Sequence, residues 1–171
     1  PLFSGLGGGS SNAAATIKTL NKLNKLQMTN KEMLDIASSI GSDVPFFIVG
    51  GTKLIAGRGE IVKDHFCPII NKLFFLLIFP LFNISTKWAF QKIKKNLDDS
   101  LYCNKFPPLD DNIDWKFFNN DFEEVVGAAY PEIFGIKEFL YSHGALYSGL
   151  SGSGSTMFGI YNDKTLIEAI Q

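Results

Sequence analysis

The run Gly5-Leu6-Gly7-Gly8-Gly9-Ser10-Ser11 constrains this chain more than any other feature. Directly after it, Ala13, Ile17, Leu20 and Leu23 recur at helical spacing, which predicts an amphipathic helix with those residues on its buried stripe. A glycine loop that opens onto a helix has a definite chemistry. The first turn of a helix carries N–H groups without intrahelical partners and the positive end of the dipole. Glycines let the backbone close on an anion with no Cβ in the way, and Ser10 and Ser11 add hydroxyl donors. The run is not a P-loop, because no Gly-Lys-Ser/Thr follows, and within the given sequence no strand precedes it to make it a dinucleotide fingerprint. Two readings stand at this point: a phosphate cradle, or a flexible glycine turn capped by serine.

The remaining pattern mixes helices and strands without βαβ alternation, which predicts an α+β fold and not a doubly wound sheet. Lys18, Lys22 and Lys25 read as solvated charges on the first helix. Thr29 and Glu32 form a capping box for a second helix, with Met33, Ile36, Ala37 and Ile40 as its buried stripe and Gly41 as its stop. Pro45 suits the first turn of a third helix, which puts Asp43 at that helix's entrance. An aspartate there is ordinarily an N-cap, so a capping and a functional reading both stand. Thr52–Ala56 and Glu60–Lys63 read as strands around the turn Gly57-Arg58-Gly59.

A second region begins near His65. Phe74–Phe79 reads as a buried strand, Asn83–Thr86 as a loop, Lys87–Lys95 as a helix and Asn96–Asn119 as a long loop. Helices over Phe122–Ala129 and Pro131–Ser142 follow. Then come strands over Leu146–Leu150 and Thr156–Tyr161 around Ser151-Gly152-Ser153-Gly154-Ser155, and a last helix over Lys164–Ile170. The glycine–serine loop is open between a plain turn and a second anion- or substrate-facing loop.

The bulk properties exclude several classes. With 46% hydrophobic and 19% charged residues the composition is globular, and 171 residues suffice for one ordinary domain or two small ones. A formal charge of −1 gives no basic field for nucleic acid or an anionic membrane. The apolar run Leu73–Phe82 is broken by Pro80 and is about half of the ~20 residues a membrane helix needs. Cys67 and Cys103 stand outside any CxxC pattern and read as free thiols, and His65 and His143 have no second ligand at zinc spacing, so no metal site is expected. Nothing in the sequence bears on oligomeric state. The chain begins at Pro1 within a motif, so it is expected to be an N-terminally incomplete piece.

Four motifs in order support a resemblance. Pro1-Leu2-Phe3-Ser4-Gly5-Leu6-Gly7-Gly8-Gly9-Ser10-Ser11-Asn12-Ala13-Ala14 resembles the ATP-phosphate loop of the GHMP kinase superfamily, in the expanded form of its diphosphocytidyl-methylerythritol kinase branch. Gly41-Ser42-Asp43-Val44-Pro45-Phe46-Phe47 and Gly57-Arg58-Gly59-Glu60 resemble that branch's next two landmarks, and Leu150–Ser155 resembles the third superfamily motif. The resemblance implies a two-lobe α+β fold. Residues 1–65 would be what remains of the ATP-binding lobe, and 66–171 a ferredoxin-like C-terminal lobe. It implies ATP with Mg²⁺, and a small cytidyl diphosphate substrate phosphorylated on a hydroxyl.

By the same resemblance Asp43 is the catalytic residue, and Pro1, Leu2, Phe3, Ser4, Gly5, Leu6, Gly7, Gly8, Gly9, Ser10 and Ser11 bind ATP. Thr86, Phe90, Gly152, Ser153 and Gly154 would face the substrate, with Phe90 stacking on the cytosine or, alternatively, serving as a core aromatic. The family's first motif, with its catalytic lysine, is not in the sequence, so the 171-residue chain alone is expected to be inactive and poorly soluble. The implied setting is cytoplasmic, bacterial or plastid. The competing expectations are a GHMP kinase for homoserine, mevalonate or a sugar, and a non-catalytic nucleotide-binding remnant.

Overall fold

The computed structural model describes residues 4–59, 61–65, 67–93 and 113–170. These fall into two compact units. One takes the residues up to Leu6 together with those from Pro68 onward, and the other takes Gly7–Cys67.

The Gly7–Cys67 unit is three helices and a hairpin. Helices α1 (Gly8–Leu23), α2 (Asn30–Ile40) and α3 (Val44–Val49) close on Ala14, Ile17, Met33, Ala37, Val44 and Ile48. Full burial of a side chain such as Ile17 is worth about 1.5–3 kcal/mol. The capping box at α2 is present in both directions: Glu32 N–H donates to the Thr29 hydroxyl, and Thr29 N–H donates to the Glu32 carboxylate at 2.7 Å. Those bonds hold the Glu32 carboxyl below its usual range. Strands β1 (Lys53–Ala56) and β2 (Ile61–Asp64) pair antiparallel, from Lys53 opposite Asp64 to Ala56 opposite Ile61.

The helical stripes differ from expectation. Leu20, Leu23, Ile36 and Ile40 are exposed, at 51%, 72%, 42% and 56%. The buried line of α1 runs instead through Ala14, Ile17 and the half-buried Asn21. Asn21 takes a core-facing place because it serves the turn into α2. Its oxygen accepts the Met28 N–H at 3.0 Å, and its Nδ2 meets the Met33 sulfur at 3.7 Å. Apolar spacing alone does not register a half-buried asparagine. Lys18 also differs: its ammonium donates to the Phe47 carbonyl near the end of α3, at 3.0 Å.

The other unit is a sheet with helices. Its order is β3 (Phe74–Ile78), α4 (Thr86–Lys92), α5 (Phe122–Ala129), α6 (Glu132–Ser142), β4 (Tyr147–Leu150), β5 (Met157–Tyr161) and α7 (Lys164–Glu168). The three strands lie in the order β3-β5-β4, antiparallel throughout. Ile84, Ala89, Val126, Ile133, Leu150 and Met157 form one core. Leu73, Tyr147 and Ile160 form another, with Trp115 and Phe118 packed on it. The α+β expectation holds.

Two readings need correction here. The run Leu73–Phe82 is not uniformly buried: Phe75, Leu77 and Phe79 are 46%, 41% and 47% exposed, because β3 is the outer strand of the sheet's described order. Within the expected long loop, 96–112 lie outside the described residues, but Trp115–Phe117 form a 3₁₀ turn, and Trp115 stacks 6.2 Å from the Tyr147 ring. Aromatic packing orders a stretch that has no helical or strand period. Cys67 is a buried free thiol, and Cys103 lies outside the described residues. No described helix is long and apolar enough to cross a membrane.

Candidate active site

The glycine run is shorter as a loop than its sequence suggests. Helix α1 already begins at Gly8, and its first ladder bond runs from Ser11 N–H to the Gly7 carbonyl at 2.8 Å. Gly8, Gly9 and Ser10 therefore present N–H groups that the helix does not use. No side chain caps this end, and no acidic residue sits in the first turn. A Cβ added at Gly8 or Gly9 would meet nothing within 4 Å. The combination is an open, positively polarised helix start, suited to an anion. Pro1, Leu2 and Phe3 lie outside the described residues.

Asp43 shares the unit with that helix start. It occupies the N-cap position of α3, yet its side chain makes no capping hydrogen bond, and the residue is exposed. The capping alternative therefore falls away, and the carboxylate is not spent on the helix. Helices α3 and α1 pack together at Phe47. A Cβ on Gly7 would lie 2.8 Å from the Phe47 ring, and Lys18 holds the Phe47 carbonyl.

The turn after β1 also acts on this place. Gly59 has φ +117, and a Cβ there would lie 2.3 Å from the Ser42 carbonyl oxygen. Only glycine lets the hairpin turn press against the residue before Asp43. That gives the Gly57-Arg58-Gly59 landmark a physical role its sequence does not reveal. Glu60 lies outside the described residues.

In the other unit, Ser4 and Gly5 meet the Ser151–Ser155 loop. The Ser151 hydroxyl donates to the Gly5 carbonyl at 3.0 Å, and Thr156 N–H donates to the Ser4 carbonyl at 3.2 Å. Gly5 has φ +72, and a Cβ there would fall 1.9 Å from the Ser151 carbonyl oxygen. The loop is sunk into the unit: Ser153, Ser155 and Thr156 are 6%, 5% and 0% exposed. The Ser153 and Thr86 hydroxyls share a hydrogen bond of 3.0 Å, which joins two residues expected to face substrate.

Ser85, not Thr86, caps α4, by accepting the Trp88 N–H. Phe90 is 63% exposed and edge-on to Phe122 at 4.9 Å, so it is no core aromatic; Ala89 beside it is the buried residue. Gly152 is exposed, and Gly154 is buried against Ile84 and Leu150.

Three residues around this loop escaped the sequence reading. The Asn120 amide donates to the carbonyls of Leu150 and Gly152, at 2.8 and 2.7 Å. The Glu123 carboxylate accepts the Leu150 N–H at 2.9 Å and is paired with Lys137. The only sequence signal for Asn120 and Glu123 is an Asn-Asp-Phe-Glu stretch at the start of a predicted helix, which reads as an ordinary cap; Lys137 has none.

Comparison with known proteins gives a consistent picture. Residues 1–51 match the family model of the GHMP kinases N terminal domain, and residues 104–171 that of the GHMP kinases C terminal domain. A 4-diphosphocytidyl-2-C-methyl-D-erythritol kinase of Thermodesulfovibrio yellowstonii is 40% identical over 178 residues, spanning 96% of this chain and 60% of that protein. One of that name from Caldanaerobacter subterraneus subsp. tengcongensis is 42% identical over 168 residues, spanning 95% of this chain and 58% of its own length. The chain thus spans about 60% of the length of the curated relatives it matches. Among solved structures, a crystal structure of 4-(cytidine 5'-diphospho)-2C-methyl-D-erythritol kinase has the same fold. Its TM-score is 0.74 at 24% identity, over 99% of this chain and 63% of that one.

Proposed function

Because the chain belongs to the GHMP kinases, we propose that it is part of an enzyme that transfers the ATP γ-phosphate to the 2-hydroxyl of 4-diphosphocytidyl-2-C-methyl-D-erythritol, in the non-mevalonate route to isoprenoid precursors. The observation that carries the choice of substrate is the 40% identity, across 96% of the chain, to a kinase of that name. Residues 1–65 are assigned to the ATP-binding domain and 66–171 to the C-terminal domain. The bacterial relatives support a cytoplasmic setting.

In this reading the free amides of Gly8, Gly9 and Ser10, with the Ser10 and Ser11 hydroxyls, hold phosphate oxygens, and Ser4–Gly7 lead the chain to them. Phosphoryl transfer asks a protein mainly for positioning and charge stabilisation, which oriented amides supply without reorganisation. Asp43 accepts or orients the proton of the attacking hydroxyl. Thr86, Phe90 and Gly152–Gly154 face the cytidyl end, where the exposed Phe90 ring is available to stack on a base. Among the described residues no group of three His, Cys, Asp or Glu side chains is placed to hold a metal ion. Mg²⁺ would accompany ATP, carried on the nucleotide's phosphates.

The test is phosphoryl transfer from ATP by the native polypeptide that carries this sequence, with mevalonate, homoserine and galactose as controls. Selective turnover of the cytidyl substrate is expected. Turnover of a control instead would keep the family and reject the substrate, and no turnover of any would leave a nucleotide-binding remnant. Asp43→Asn is expected to lower kcat by about 10²–10⁴ if the carboxylate takes the proton. A variant with wild-type kcat would remove Asp43 from the chemistry.

A further inference from the structure

The C-terminal end of β4 is held from outside by side chains. In the order β3-β5-β4, β4 has β5 on one side only among the described residues, so the other side of Leu150 faces no strand. Both main-chain groups of Leu150 are nevertheless satisfied. Its N–H goes to Glu123 at 2.9 Å and its carbonyl to Asn120 at 2.8 Å. Asn120 spends its second donor on Gly152, at 2.7 Å, and its oxygen accepts Phe122 N–H at 2.9 Å at the start of α5. One amide thus fixes the loop at two carbonyls and the helix start at one N–H. Lys137 on α6 fixes the Glu123 carboxylate in turn.

We propose that Asn120 is the positioning residue of this site, and that Glu123 supports it. Asn120 sets the conformation of Leu150–Gly152. Through that segment it sets the Ser151 bond to Gly5 and the Ser153 bond to Thr86, so one side chain governs both the seat of Ser4–Gly5 and the substrate-facing hydroxyl pair. The functional part of this inference rests on the kinase reading above; the tether itself does not.

Asn120→Asp separates Asn120's two duties. The variant keeps volume and an oxygen for Phe122 N–H, but it loses both donors and sets a carboxylate against the carbonyls of Leu150 and Gly152. Amide hydrogen exchange and steady-state kinetics are measured on the same preparations. Exchange across Ser151–Ser155 is expected to quicken about tenfold or more, with α5 and α6 unchanged, and KM for the cytidyl substrate is expected to rise about tenfold. Glu123→Gln, which keeps an acceptor for Leu150 N–H, should retain loop protection that Glu123→Ala loses.

Unchanged exchange in Asn120→Asp would overturn the inference even if the kinase reading holds. Faster exchange throughout the unit would also overturn it, by showing general destabilisation. Loop-specific exchange with unaltered KM and kcat would overturn the positioning role. A wild-type protein without cytidyl turnover would reject the kinase reading and, with it, the functional part; the exchange result would still stand or fall by itself.

Discussion

Two glycine–serine segments of nearly the same composition behave in opposite ways. Ser151–Ser155 is buried from Ser153 onward, and its main chain is bonded from several sides: Ser151 N–H to the Thr156 carbonyl, Gly154 N–H to the Ser151 carbonyl, and the Gly152 carbonyl to Asn120. Gly7–Ser11 begins a helix whose first amides have no use within it, with open space beside Gly8 and Gly9. In one segment glycine is required by close approach to other backbone. In the other it keeps a surface clear. The contrast separates a structural brace from an open helix start, and composition alone does not.

The largest expected effect breaks the braced segment. Gly5→Ala would put a methyl 1.9 Å from the Ser151 carbonyl, at φ +72. The clash is with main chain, so no rotamer relieves it. Left-handed strain and overpacking together should cost on the order of 3 kcal/mol. Chemical denaturation should show the loss directly. A variant as stable as wild type would mean that Ser4–Gly5 does not rest on the Ser151 loop as described.

Gly9→Ala tests the open segment and should move two quantities in opposite directions. Inside α1 an alanine has room, since nothing lies within 4 Å of its Cβ. Replacing a helical glycine should stabilise the unit by roughly 0.5–1 kcal/mol. The same methyl would crowd an anion seated on the helix start, and KM for ATP should rise about tenfold, the equivalent of about 1.4 kcal/mol. Higher stability with unchanged KM would leave the helix start as a plain turn.

How much of this was legible in the sequence depended on the physical signal. The Thr29–Glu32 box, the hairpin and the strand–loop–strand around Ser151 were readable because turn chemistry and apolar runs are local. The helix start at Gly8 was not, because glycine's low propensity argues against helix and only the packing of α1 on α3 overrides it. Leu20 and Ile36 were misplaced because spacing gives a helix a face but does not say which line of it packs. The site was half readable. Asp43 and the glycine run stood out by their punctuation and by resemblance, whereas Asn120, Glu123 and Gly59 act through contacts with residues far along the chain, for which one sequence carries no pattern.

The smallest effect probes the platform beneath the braced loop. Tyr147 lies on β4 three residues before Leu150, on the face that packs Trp115 and Ile160. Burial, and then the nearby Glu123 carboxylate and Tyr141, push its phenol from the usual 10.0 up to about 12. The folded protein therefore holds this proton more tightly than the unfolded chain does. Its contribution to stability is complete below pH 10 and is lost as the pH rises toward 12. Ionisation would also set a phenolate near the carboxylate that holds Leu150 N–H, so the loss should fall on the braced segment and spare the Gly7–Cys67 unit. Tyr147→Phe removes the titrating group and should flatten that part of the stability–pH curve while leaving α1 and α2 unchanged. An identical decline in the variant would assign the alkaline loss to other groups, and Tyr147 would then support the loop by packing alone.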